Sequence, residues 1–258
     1  MLLVIDVGNT NIVLGIFKGK KLVYDWRIST DREKTADEYG LMLMQIMDSQ
    51  NIKIDNINDI IISSVVPNIM DIFPEICEKY FNIKPIIIGP GVKTGMNILY
   101  DNPKEVGADR IVNGVAAFEK YGGPLIAVDL GTAITFDVIN QKGDYLGGAI
   151  CPGVKISADA LFQRASKLPK VEILKPEKII GKNTVNSMQA GLFYGYVGMI
   201  DYIIENIIKE MNFSVEDVKV IATGGYSRLF LNESKYIQKI DQMLTLDGLR
   251  IIYERNKE

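Results

Sequence analysis

The sequence has no histidine among its 258 residues. That absence excludes a Ser-His-Asp triad, a Cys-His pair, a His-ligated zinc and any imidazole general base. Chemistry must rest on carboxylates, hydroxyls, amides and cations, a set awkward for hydrolases but suited to phosphoryl transfer, where positioning and charge neutralisation dominate. Cysteine is nearly absent too. Cys77 and Cys151 lie far apart and outside any C-x-x-C spacing, so neither a disulfide framework nor a thiolate metal site is expected, and a reducing cytoplasm fits. Long apolar runs are missing. Met1 to Ile5 leads straight into Asp6 with no charged n-region, and the most apolar later stretch, Ala190 to Ile204, is interrupted by Asp201 and falls short of the roughly 20 residues of a spanning helix. A soluble, cytoplasmic protein with no membrane partner is the expectation. With a formal charge of −3 and mixed signs along the chain, there is no basic stripe for nucleic acid, and small ligands are the better expectation. Walker A and G-x-G-x-x-G strings are also absent.

What is present is 47% hydrophobic and 24% charged residues, enough for a substantial core. Leu2 to Ile5, Ile12 to Phe17 and Leu22 to Ile28 read as three strands in a meander. Thr35-Ala36-Asp37-Glu38 has the capping-box form before the apolar run Tyr39 to Met47, so a helix begins there. Ile60 to Val66 reads as a buried strand, Asn68 to Phe81 as a helix bent or broken near Pro74, and Lys84 to Ile88 as another strand. The second half repeats the first. Leu125 to Gly131 follows the pattern of Leu2 to Gly8, with Asp129 and Asp6 123 positions apart, and Val218 to Thr223 takes the place of Ile60 to Ser63. The expected architecture is α/β, with two duplicated βββαβα lobes, residues 1–121 and 122–258, and a ligand cleft between them.

Two turns carry candidate chemistry. Asp6-Val7-Gly8-Asn9-Thr10-Asn11 sets a carboxylate at a strand end, then a glycine and short polar side chains. Gly8 lets backbone N–H groups approach a phosphate, Thr10 and the asparagines can donate to its oxygens, and Asp6 can hold Mg²⁺ through water. Taken singly, the segment is equally an Asn-rich β-turn. The second copy, Asp129-Leu130-Gly131-Thr132-Ala133-Ile134-Thr135, again pairs carboxylate, glycine and hydroxyls and favours a metal–triphosphate site.

The paired Asp-x-Gly turns, with Gly224-Gly225 after Val220 to Thr223, resemble the actin/sugar-kinase/Hsp70 superfamily, whose lobes are ribonuclease H-like with ATP in the interlobe cleft. Within it the chain is similar to the type III pantothenate kinases over nearly its whole length. The matching strings are Asp6 to Thr10, Gly107-Ala108-Asp109-Arg110, Asp129 to Thr135, Gly147-Gly148-Ala149-Ile150-Cys151-Pro152-Gly153, and Thr184 with Ser187-Met188-Gln189-Ala190-Gly191. The resemblance implies phosphorylation of pantothenate, the first step towards coenzyme A. It implies ATP bound along Asp6, Val7, Gly8, Asn9, Thr10, Asn11, Ile12 and Val13 and by Thr132, and a monovalent cation, K⁺ or NH₄⁺, at Asp129. Pantothenate would be held by Tyr100, Gly107, Ala108, Asp109, Arg110 and Thr184, with Asp109 accepting the hydroxyl proton. Mg²⁺ as cofactor and a homodimer follow from the same resemblance. A sugar or carboxylate acceptor, or a non-enzymatic accessory role in transcription, are the alternatives.

From the residues alone, Ala108, Ile111, Val112, Val115 and Ala116 form the apolar face of a helix, with Asp109 and Arg110 off it. On that reading Asp109 is an acid favoured at a helix start and Arg110 a solvated side chain. With the resemblance, the helix dipole and Arg110 are expected to keep Asp109 ionised, a weak base but a competent hydrogen-bond acceptor, and Arg110 could pair with the pantothenate carboxylate bidentately. Gly191, Gly195 and Gly198 fall in an expected helix from Thr184 to Met211, on or near one stripe that permits close helix approach within the lobe or across a dimer.

Overall fold

The computed structural model describes residues 1–257, with every side chain among them except that of Asn68. The elements in chain order are β1 (Leu2–Val7), β2 (Asn11–Lys18), β3 (Lys21–Ser29), α1 (Ala36–Asp48), β4 (Asp59–Ser64), α2 (Ile72–Phe81), β5 (Ile86–Ile87) and α3 (Ala108–Tyr121). They continue with β6 (Leu125–Leu130), β7 (Ala133–Ile139), β8 (Tyr145–Pro152), α4 (Val154–Arg164), α5 (Thr184–Glu210), β9 (Lys219–Thr223), α6 (Ser227–Phe230), β10 (Lys239–Ile240) and α7 (Leu244–Lys257).

The strands form two five-stranded mixed sheets, β3-β2-β1-β4-β5 and β8-β7-β6-β9-β10. The order is the same in both. In each, the first strand runs antiparallel to the second and parallel to the fourth. Each also has an irregularity at one place, between Ile16 and Phe17 and between Val138 and Ile139. The copies differ at the first turn: Asp6 pairs with Val13, whereas Asp129 pairs with Thr135, so the second turn is one residue shorter.

The chain divides into two compact units, Met1–Met96 with Asn102–Ala116 and Leu244–Glu258, and Asn97–Asp101 with Ala117–Met243. This differs from the expected division at 121/122, because the C-terminal helix belongs to the first unit and the boundary falls inside α3. In the first unit, Leu3, Ile5, Val7, Ile60 and Ile62 face α1 and α2 through Tyr39, Leu43, Phe73 and Ile76. The opposite face is closed by α7, with Leu246 so near β2 that a Cβ on Gly15 would lie 3.0 Å from it. Cover on both faces accounts for the unbroken apolar run of β1. In the second unit, Ile126, Val128, Phe136 and Val220 pack against Val154 of α4 and Phe193, Ile200 and Ile204 of α5.

Local expectations meet the structure unevenly. The capping box at α1 forms, with Thr35 N donating to Glu38 Oε2 at 2.8 Å and Glu38 N to Thr35 Oγ1 at 3.3 Å. The segment expected as a helix from 68 to 81, bent or broken near Pro74, is a 3₁₀ turn at Pro67–Ile69 followed by α2 from Ile72, so the break precedes Pro74. Pro74 therefore sits in a first turn, where its missing N–H costs nothing. The strand expected over 84–88 contracts to Ile86–Ile87. No helix among the described residues is long and apolar enough to cross a membrane.

Candidate functional site

Strand β1 ends by delivering Asp6, half-buried, beside Val13 on one side and Ser63 on the other. The following turn, Gly8 to Thr10, closes by Gly8 N donating to Asn11 O at 3.0 Å, and Asn9 and Thr10 are exposed at its tip. Thr30 grips the turn twice, its Oγ1 donating to Gly8 O at 2.6 Å and its N to Thr10 O at 3.0 Å. Arg32 Nη2 donates to Asn9 Oδ1 at 2.9 Å. Beside Asp6, Ser63 Oγ is fully buried with no hydrogen-bond partner among the described residues. A buried hydroxyl with open bonding capacity next to a carboxylate suits a hydrated Mg²⁺ held through water.

In the second unit, Asp129 ends the inner part of β6 and Gly131-Thr132 make the turn, with Gly131 N donating to Ala133 O at 3.1 Å. Gly224, at φ +88, follows β9 and lies hard against Asp129 and Leu130, where any Cβ would overlap the Asp129 carboxylate. A Cβ on Gly131 would stand 3.2 Å from the same oxygen. A side chain at 224 would overlap the Asp129 carboxylate and one at 131 would crowd it, so the two glycines leave this carboxylate its space, and its hard oxygens are of the kind that ligate a cation. Gly153 presses on this turn as well, its N donating to Thr132 O at 3.1 Å. It is also the residue from which α4 starts.

Asp109 lies in the first turn of α3, half-exposed as a residue but with its carboxyl group enclosed. Oδ1 accepts from Arg110 N at 2.8 Å. Burial pushes its pKa upward, opposed by that hydrogen bond and by the Arg110 charge. The net direction is upward, opposite to the lowering expected from the dipole and Arg110, because desolvation outweighs them. Arg110, expected off the apolar face, is buried, 7% exposed. Val112, Val115 and Ala116 are buried as the periodicity requires, while Ala108 and Ile111 are only half-buried. Further along α3, Asn113 is buried and accepts from Thr245 Oγ1 at 2.7 Å.

Tyr100 belongs to the second unit, tilted on Tyr145 with ring centroids 6.4 Å apart and lying over Gly147. Tyr145 in turn donates to Asp137 Oδ1 at 2.8 Å, and Thr135 donates to Asp137 Oδ2 at 3.1 Å. A fully buried carboxylate thus fixes the ring on which Tyr100 rests. Thr184 is the exposed first residue of α5 and lines a groove of about 510 Å³ with Ser187, Met188, Gly191, Gly195 and Tyr196. The expected site residues divide between the units: Asp6 to Val13 and Gly107 to Arg110 in the first, Tyr100, Asp129, Thr132 and Thr184 in the second.

Thr30, Arg32 and Asp137 were outside the residues expected from sequence. Asp137 had a signal, an acid inside the apolar strand Ala133–Ile139. Thr30 and Arg32 had none, because they sit in a polar loop without periodicity.

The family model for type III pantothenate kinase matches residues 2–206. Among solved structures, a conserved protein assigned to the Baf family of transcriptional activators from Campylobacter jejuni superposes with a TM-score of 0.61 at 20% identity, over 99% of this chain and 98% of that one. A protein assigned as a 2-dehydro-3-deoxygalactonokinase from Sinorhizobium meliloti gives 0.61 at 12% identity, over 99% and 96%. One assigned as an N-acetylglucosamine kinase from Porphyromonas gingivalis gives 0.52 at 13%, over the whole of both chains. At these identities the superpositions establish the fold, that of the sugar-kinase and actin-like ATPases.

Proposed function

The chain belongs to the type III pantothenate kinase family, and from that premise we propose that it transfers the γ-phosphoryl group of Mg·ATP to the primary hydroxyl of pantothenate, giving 4'-phosphopantothenate in the first step of coenzyme A biosynthesis. The observation that carries the chemistry is the Asp109 carboxylate, enclosed at the start of α3 with its pKa pushed up by burial. A carboxylate made more basic in this way is the better proton acceptor. The acceptor hydroxyl oxygen bonds to the γ-phosphorus, the bond to the β–γ bridging oxygen breaks with its electron pair leaving on ADP, and the hydroxyl proton passes to Asp109.

In this reading Asp6, Val7, Gly8, Asn9, Thr10, Asn11, Ile12 and Val13 bind the nucleotide with Thr132, and Tyr100, Gly107, Ala108, Arg110 and Thr184 hold pantothenate. Mg²⁺ beside Asp6 and K⁺ or NH₄⁺ beside Asp129, when bound, supply neutralising charge to the phosphates. Asp6 orients the phosphate chain through water, and the glycines around Asp129 hold its carboxylate in place.

We also propose a homodimer. Gly191, Gly195 and Gly198 are exposed on α5, and a Cβ on any of them would meet no atom within 4 Å. Packing within the chain therefore does not use these glycines, each of which costs the helix up to about 1 kcal/mol against alanine. Exposed Leu161, Phe162 and Val185 add apolar surface nearby. A second copy seated on this face would use both the space and the surface.

An ATP-consumption assay with pantothenate, run beside hexoses and carboxylic acids, tests the acceptor. A marked preference for pantothenate is expected. The likeness to a protein assigned as a transcriptional activator rests on the fold and brings no residue-level support for a regulatory role.

A further inference from the structure

We propose that Arg32 is a part of the phosphate site, its guanidinium contacting the β–γ end of the bound triphosphate. This rests on the reading of Gly8 to Thr10 as the phosphate-binding turn. The turn's own donors are neutral: backbone N–H groups, Asn9, Thr10 and Asn11. Its one charged side chain is Asp6, of the same sign as the phosphates. A triphosphate stays anionic after Mg²⁺ neutralises part of it, and negative charge builds on the β–γ bridging oxygen as the γ-phosphoryl departs. Arg32 is the cation bonded to this turn, at 2.9 Å from Asn9 Oδ1.

Its donors are available. The bond to Asn9 uses one of the five N–H groups of a guanidinium, and the side chain is exposed. Of the acids close to it in sequence, Asp31 and Glu38 are committed elsewhere. Asp31 accepts from Glu33 N at 3.0 Å and pairs with Lys34 at 3.2 Å, and Glu38 is held in the capping box by Thr35. No acidic side chain pairs with Arg32 among the described residues.

The backbone beneath it is fixed. Asp31 N donates to Tyr39 Oη at 2.7 Å and Tyr39 Oη donates to Asp31 O at 2.8 Å, and Tyr39 is wholly buried against Phe73 in the core. Thr30, on the other side, is bonded to both ends of the turn. A long cationic side chain thus rises from an anchored pair of residues, and little ordering remains when an anion arrives. The Asn9 bond aims the planar fork at the turn, a geometry that suits phosphate oxygens better than an ammonium would.

The alternative is that Arg32 only braces Asn9. Binding of ATP, ADP and AMP to the full chain with Mg²⁺, measured by calorimetry for the wild type, Arg32→Ala and Arg32→Lys, separates the two. Arg32→Ala is expected to weaken ATP and ADP by about 10- to 100-fold, the loss of a charge-assisted hydrogen bond, while AMP changes less than about twofold. Arg32→Lys should fall between, since it keeps the charge and loses the fork. Thermal unfolding should be unchanged in both, as the side chain is exposed. Equal weakening of all three nucleotides, or ATP binding as tight as wild type in Arg32→Ala, would overturn the assignment. A wild-type chain that binds none of the nucleotides would instead remove the phosphate reading of the turn, and the proposal with it.

Discussion

Gly107 leaves the space that the Asp109 carboxylate fills: a Cβ at position 107 would lie 2.6 Å from Asp109 Oδ1. The oxygen is there because it turns back to accept from Arg110 N at 2.8 Å, so one glycine sets the direction of the proposed base. Gly107→Ala should push the carboxylate aside. We expect kcat to fall by about 10-fold or more, as misplacing a catalytic group does, with Tm within a few degrees of wild type. Steady-state kinetics beside thermal unfolding checks this, and an unchanged kcat would show that the carboxylate position does not matter.

Asp109→Asn should retain the fold and lose kcat by about 10²- to 10⁴-fold, the range for a general base. It should also gain stability at neutral pH, as removal of a buried ionised carboxylate does. The sign follows from burial, which raises the folded-state pKa above the unfolded value. Between those two values the folded chain binds more protons than the unfolded chain, so stability falls as pH rises through the window and stays lowered above it. The asparagine variant lacks this loss. Denaturant melts of both proteins should therefore diverge as pH is raised from below the ordinary aspartate range, and parallel curves would contradict the enclosed carboxylate. In the wild type, the acid limb of the kcat profile should likewise lie above the ordinary aspartate value.

The fold was largely legible because its signals are local and repeated. An apolar strand ending in Asp-x-Gly occurs twice, and the equal sheet orders follow from that duplication. The capping box at Thr35 was readable for the same reason: it is written in four consecutive residues. What sequence did not give is what depends on distant contacts. Gly248 of α7 sits so close to Val112 that a Cβ would overlap it, and nothing within the last fifteen residues announces that the helix returns to the first unit. The candidate site divides in the same way. The turns at Asp6 and Asp129 stand out as motifs, whereas the raised pKa of Asp109 reflects enclosure, the burial of Arg110 runs against its charge, and the grip of Thr30 joins residues 22 apart.

The open face of α5 predicts the oligomeric state. Gly195→Leu meets no atom of its own chain within 4 Å at Cβ, so the monomer should fold and, by helix propensity, gain up to about 1 kcal/mol. If a second copy occupies this face, sedimentation should show a dimer for the wild type and a monomer for the variant. A wild-type monomer, or a Gly195→Leu dimer of unchanged affinity, would contradict the assignment.

The glycine cradle around Asp129 predicts cation dependence. Turnover should rise with K⁺ or NH₄⁺ and much less with Na⁺, and Gly224→Ala, whose methyl overlaps the carboxylate, should abolish that response. Equal rates in all three salts would remove the cation from Asp129.

The most direct measurement is product analysis. Wild-type chain, incubated with Mg·ATP, K⁺ and pantothenate, should yield 4'-phosphopantothenate and ADP in equal amounts by mass spectrometry, and folded Asp109→Asn should yield almost none. ATP consumption that requires a sugar or another acid, with pantothenate recovered intact, would contradict the account.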